Sequence, residues 1–169
     1  MRTQYDPNLM EDRAIAQIDN VPLNATEIGA LWSSYMQYSL FVCVLKYFYE
    51  TTEDLEIRPV IEDALQICSI RVNRAADILH KEGLPIPHGF RNSDVNLEAP
   101  KLFSDPYHLY YLINSNKIAL AINGLSFVTS GRADIRDFYD HCVNSSIHLY
   151  NTTVNILLSK GLYIRPPVV

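Results

Sequence analysis

The chain has 169 residues, of which 48% are hydrophobic and 20% charged, with a formal net charge of -5. That length suits one domain with a sizeable core, and the apolar share excludes wholesale disorder. The acidic balance, with no run of lysine or arginine, argues against a nucleic-acid partner.

Residues 1–23 read as an N-terminal arm punctuated by Pro7, Asn8, Asn20 and Pro22. The first residues are polar and lack an apolar stretch of the secretion-signal kind, so an intracellular protein is expected. Cys43, Cys68 and Cys142 are odd in number and far apart, which fits buried reduced thiols. The sequons at Asn24 and Asn151 are then chance matches.

Helix one begins after Asn24 and Ala25, with Thr26 as candidate N-cap. Ile28, Leu31, Trp32, Tyr35, Ser39, Val42, Lys46 and Tyr49 share one stripe at about 100° per residue. Leu40, Cys43, Val44, Tyr47 and Phe48 cover the remainder. The apolar run is shorter than the about 20 residues a membrane span needs, and Ser39 and Lys46 interrupt it. No membrane contact is expected; the helix is buried nearly all round.

Helix two has Pro59 in its first turn, where a missing N–H costs little. Its inner face is Ile57, Val60, Ile61, Ala64, Cys68, Arg71, Val72, Ala75, Ile78 and Leu79. Gly83 suits the position after its end, and Pro85 prevents continuation. A long connection follows, about residues 84–104. Helix three opens with Asp105 as N-cap and Pro106 behind it. It carries Tyr107, Tyr111, Asn114, Ile118, Ala121, Ile122, Leu125 and Val128 on one face, and Leu109, Leu112, Ile113, Leu120 and Phe127 on another. After a break at Gly131, helix four shows the clearest stripe: Ile135, Phe138, Tyr139, Cys142, Ser146, Leu149, Thr153, Ile156, Leu157 and Lys160. Gly161 stops it, and residues 162–169 form an extended tail.

No strand signal or internal repeat interrupts this pattern. Four long helices over residues 24–161 predict an all-α four-helix bundle. The connection of roughly 20 residues can span about 65 Å at about 3.3 Å each. A helix of about 26 residues is only about 39 Å long. The expected topology is therefore ferritin-like: two antiparallel hairpins joined by a crossover that runs the length of the bundle.

That topology raises the question of a metal centre. Di-iron bundles of this kind use Glu-x-x-His pairs, and this sequence has none. Asp77 with His80, and Asp105 with His108, are the nearest echoes; Asp137, His141 and His148 lie far from the apolar stripe of helix four. All read as surface polar residues. Lys46, Arg71 and Asn114 are more unusual, because all three fall on inner stripes. They form a candidate buried polar cluster, fit to hold a small anion or an interface, while their long stems could equally pack inside with the heads at the bundle ends. No nucleophile–base pair accompanies them, so no catalytic residue, cofactor or metal is assigned.

The stretches "ATEIGALWSSYMQYSLFVCVLKYFYE", "KEGLPIPHGFRNSDVNLEAPKLFSDPYHLYYL", "RADIRDFYDHCVNSS" and "LLSKGLYIRPPVV" resemble a Bacillus-type family of uncharacterised proteins similar to spore coat protein F. The resemblance covers nearly the whole chain and is most specific in the crossover and the tail. It implies a ferritin-like bundle and a link with sporulation, and it carries no catalytic residues. The expected function is that of a non-enzymatic structural or interaction protein, a spore-coat-like component. Its expected partners are a second copy of itself (a homo-oligomer, such as a dimer) or other coat-type proteins. The alternative is a small-molecule or metal-binding bundle acting as an oxidoreductase.

Overall fold

The computed structural model describes residues 21–167. The proposed arm falls almost wholly outside them, as do the last two residues of the tail. Four helices account for most of the rest: α1 (Ala25–Thr51), α2 (Arg58–Lys81), α3 (Asp105–Thr129) and α4 (Ala133–Ser159). Among the described residues there is no strand, and the connection between α2 and α3 holds one short 3-10 turn, Asn92–Asp94. The pairs α1–α2 and α3–α4 pack most extensively, while α2–α4 and α1–α3 close the square. This is the expected pair of hairpins.

The crossover runs end to end, as its length requires. Gly83 and Gly161, at φ 67° each, end α2 and α4 in the left-handed conformation, and the Leu84 and Leu162 amides bond back to the Leu79 and Leu157 carbonyls. From Leu84 the chain follows α1 in order. The Phe90 amide donates to Ser39 Oγ at 3.0 Å, and Cys43 Sγ donates to the Arg91 carbonyl at 3.2 Å. Tyr47 Oη donates to the Pro100 carbonyl and accepts from the Leu102 amide, both at 2.8 Å. Ser39, Cys43 and Tyr47 are four residues apart, so they form one strip along α1.

This strip explains why α1 is so apolar. One face, with Leu31, Ser34, Tyr38, Leu45 and Phe48, enters the bundle core; the strip at its side is buried beneath the crossover. By length and composition α1 could cross a membrane. Its polar side chains, however, are committed within the protein: Ser34 Oγ meets Tyr139 Oη at 3.2 Å, and Tyr38 Oη donates to Asn123 Oδ1 at 2.8 Å. These bonds define a bundle helix.

Two caps differ from expectation. Asn24, not Thr26, caps α1: its Oδ1 accepts from the Glu27 amide, and Glu27 Oε2 accepts from the Asn24 amide. The reciprocal box needs a carboxylate at the third helical position, and only the Asn24 register supplies one. Similarly Ser104, not Asp105, caps α3. Asp105 accepts instead from the backbone amides of Glu53 and Asp54 and pairs with Lys101 at 2.7 Å, joining the end of α1 to the start of α3.

The core centres on Leu31, Ile57, Ile61, Leu79, Leu109, Ile135, Phe138, Tyr139 and Leu157, all essentially inaccessible. Each large side chain of this kind contributes about 1.5–3 kcal/mol by leaving water. The inner faces expected for α2 and α4 are the buried ones. For α3 only one of the two expected apolar faces is buried, the one with Leu109, Leu112 and Ile113. Its buried residues are His108, Leu109, Leu112, Ile113, Asn116, Ala119, Asn123 and Ser126. The stripe of Tyr107, Ile118, Ile122, Leu125 and Val128 faces outward instead.

Candidate functional site

The three residues expected to form a buried polar cluster do not come together. Arg71 is buried, at 3% exposure. Lys46 is only half-buried, and its ammonium donates to Asn92 Oδ1 of the crossover. Asn114 is exposed, because α3 turns the opposite face to the core. Lys46 and Asn114 were assigned inward from stripes that lie beside the true core faces of α1 and α3. On helices apolar around most of their circumference, the stripe alone does not fix the rotation.

A polar centre does exist, built around Arg71 with other partners. One guanidinium nitrogen lies 2.7 Å from the Cys142 carbonyl and 2.8 Å from both Ser145 Oγ and Ser146 Oγ. The guanidinium carbon sits 5.0 Å from the centre of the Tyr38 ring. Arg71 Nε and Asn123 Nδ2 are buried without a partner. Beside this group lies a cavity of about 30 Å³, whose lining includes Tyr38, Cys68, Arg71, Ser115 and Asn116. Burial raises the Tyr38 phenol far above its usual range, against the pull of Arg71. Burial also pushes the Cys68 thiol up to about 11, with Arg71 opposing, and raises the Cys142 thiol. All three groups stay neutral near pH 7.

The second polar point is His108, which is fully buried and stacks on Phe48 with ring centres 4.0 Å apart. Its Nδ1 lies 2.9 Å from Thr52 Oγ1, whose hydroxyl already donates to the Phe48 carbonyl at 2.6 Å. Nδ1 therefore carries the proton, and Nε2 is a buried acceptor without a partner. Burial, opposed by Asp105 and aided by Lys101, holds the imidazole below its ordinary pKa. The expectation of a surface residue is thus corrected for His108. Asp77, His80, His141 and His148 are exposed as expected, and Asp137 is exposed and pairs with Arg74 at 2.9 Å. Among the described residues, no group of three or more His, Cys, Asp or Glu side chains gathers where a metal ion could sit.

A cleft of about 460 Å³ opens under the crossover, lined by Val44, Tyr47 and Phe48 of α1, Val95 and Phe103 of the crossover, and Tyr107 of α3 among others. Cys43 lies on its wall, its thiol raised by burial and then by Asp94, with Lys46 opposing. This thiol is not an activated nucleophile.

Sequence reasoning missed His108, Asn116, Asn123 and Tyr38. The signal was present: Leu109, Leu112, Ile113, Asn116, Ala119 and Asn123 follow the spacing of one helical face, interrupted by the two asparagines.

The fold and these polar points define an all-α four-helix bundle with a partly polar core. A family model described as a protein of unknown function, DUF3231, matches residues 15–169, and the chain belongs to that family. Among solved structures it is similar to one described as a putative spore coat protein from Bacillus halodurans. The identity is 18% and the TM-score 0.78, over 90% of this chain and 98% of the other. At that identity the likeness is one of fold. The search of curated proteins gave no match. The family match and this neighbour bear out the Bacillus-type resemblance seen in the sequence.

Proposed function

We propose that the chain is a non-enzymatic, intracellular structural or interaction protein of the spore-coat type. In this reading it works by associating with a second copy of itself or with other coat-type proteins. The observation that carries the reading is the outward-facing apolar stripe of α3. This helix turns His108, Asn116, Asn123 and Ser126 inward and leaves Ile118, Leu125 and Val128 at 56%, 64% and 73% exposure. From Tyr107 to Val128 that face is about 32 Å long, and Lys117 is the one charged side chain of α3 besides Asp105. An exposed apolar stripe of this kind marks an association site more often than a solvated one. Because the face is nearly uncharged, two copies can meet there despite the negative charge each carries. The description of the structural neighbour supports the spore-coat part of the reading.

Size-exclusion chromatography with light scattering tests the association. A dimer or larger species is expected, dispersed by Ile118→Glu with Leu125→Glu. A monomer at high concentration counts against it. For the spore link, a fluorescent fusion in a spore-forming Bacillus host should collect on the developing spore; diffuse signal throughout sporulation argues the other way.

The cleft under the crossover favours a second reading, a small-molecule-binding bundle. Its volume lies within the usual range for ligand sites, about 300–1,000 Å³, and its walls are mostly apolar. Native mass spectrometry and metal analysis of untagged protein separate the two readings. A stoichiometric organic ligand, iron or manganese would promote the second, and an empty protein the first.

A further inference from the structure

Arg71 differs from the other buried charges of this protein. Glu27 receives backbone N–H groups, and Arg132 pairs with Glu82 and Asp134. Among the described residues no carboxylate pairs with Arg71; its partners are a carbonyl, two hydroxyls and an aromatic face, all neutral. The neighbouring groups that could supply a negative charge, Tyr38, Cys68 and Cys142, are each pushed by burial toward the neutral form. A buried cation without a counter-charge is costly. Meanwhile the Nε–H donor is unused, and Arg71 lines a cavity.

The cavity has the right size and chemistry for a small occupant. A single water needs about 10–15 Å³, and about 30 Å³ is present. Two further donors lie on its wall. Asn116 uses one amide hydrogen on the Leu112 carbonyl at 3.0 Å, leaving its second hydrogen free, and Ser115 adds a hydroxyl. Tyr111, Phe41 and Leu45 complete an apolar wall that excludes strongly hydrated or multiply charged ions. We propose that this cavity is a binding site for a halide-sized monovalent anion, held by the Nε–H of Arg71 with Ser115 and Asn116 as additional donors. The anion supplies the counter-charge that the polypeptide lacks.

The deciding experiment is anomalous scattering at the bromide edge from crystals of the full chain grown or soaked in sodium bromide. A bromide peak in the cavity within hydrogen-bond reach of Arg71 Nε is expected. A parallel measurement follows thermal unfolding in bromide at constant ionic strength, balanced with isethionate, which is too bulky to enter. The melting temperature should rise by about 3–5 °C for each tenfold increase in bromide beyond half-saturation. In Arg71→Met both effects should disappear. Water alone in the cavity, or a bromide peak that persists in Arg71→Met, overturns the proposal whatever the melts show. Because the scattering is read on the unmodified chain, a variant that fails to fold leaves the test intact.

Discussion

The guanidinium of Arg71, from α2, lies 5.0 Å from the centre of the Tyr38 ring of α1, and Tyr38 in turn donates to Asn123 of α3. With the Arg71 bonds to Cys142, Ser145 and Ser146 of α4, this short chain links all four helices. A buried polar group joined in this way rigidifies a core and penalises alternative packings.

Replacing Arg71 by alanine should therefore be among the most damaging single changes. It opens a cavity and removes the donor shared by the Cys142 carbonyl and the buried Ser146 hydroxyl, at a cost of about 3 kcal/mol. Arg71→Met keeps most of the volume and removes the buried charge, so its cost should be less than half as large. Urea denaturation of the two variants checks the ranking; equal losses would mean that the hydrogen bonds, not the packed stem, dominate.

Glu27 joins the start of α1 to the turn between α3 and α4. Its Oε1 accepts from the Gly131 amide at 2.9 Å and the Arg132 amide at 3.0 Å, while Oε2 accepts from Asn24. Glu27→Ala leaves three N–H groups without their acceptor, two of them in a turn that has no other use for them. A loss of about 3 kcal/mol is expected, lowering the melting temperature by about 6–12 °C. Calorimetry that finds a change under about 1 kcal/mol would show that water replaces the carboxylate freely.

At Gly89 the crossover backbone lies close against α1. A Cβ there would stand 2.6 Å from Tyr35 Cε1 and 2.8 Å from Ser39 Oγ. Gly89→Ala should lift this part of the crossover and cost about 1–3 kcal/mol. Amide exchange should quicken at Phe90, whose N–H is bonded to Ser39 Oγ, while the centres of the helices stay protected. Unchanged exchange at Phe90 would refute the close approach.

His108 predicts an acid-sensitive step. Its folded pKa lies below its ordinary value, through burial, with Asp105 opposing and Lys101 assisting. Below about pH 6.5 the unfolded chain thus binds the proton more readily than the folded chain. The stabilisation is complete above that pH and is lost as pH falls through the folded value. Asp105 has the same sign at lower pH. Burial works against its anion, but Lys101 and the Asp54 and Glu53 amides hold its carboxyl below the usual range. The denaturation midpoint should fall between about pH 7 and 5, and His108→Gln should flatten that arm. An equal slope in the variant would rule out His108 as its source.

The sequence reading was most accurate where apolar residues occupy a single stripe. The α4 stripe from Ile135 to Leu157 and the α2 stripe from Val60 to Leu79 are the buried faces. The end-to-end crossover also followed, because chain length alone decided it. The rotation of α1 and α3 did not follow. Both helices are apolar around most of their circumference, since α1 is covered on a second side and α3 exposes Ile118 and Leu125. Periodicity has no contrast to detect on such a helix. The candidate site was recovered only in Arg71, the one member of the trio on a helix with a clear stripe; its true partners on α4 are serines that composition does not single out.

The reach of Glu27 has a consequence for how the protein is made. Two of its donors, the Gly131 and Arg132 amides, lie 104 and 105 positions further along the chain, so its buried bonds must wait for the second hairpin to be synthesised. At about 5–20 residues per second, the ribosome takes about 5–20 s to deliver Gly131 after Glu27. Throughout that interval the nascent α1–α2 hairpin presents a carboxylate with one oxygen unpartnered at one end and the oily strip of Cys43 and Tyr47 along its side. Until translation supplies the remainder, the first half of the protein is a natural client for chaperones.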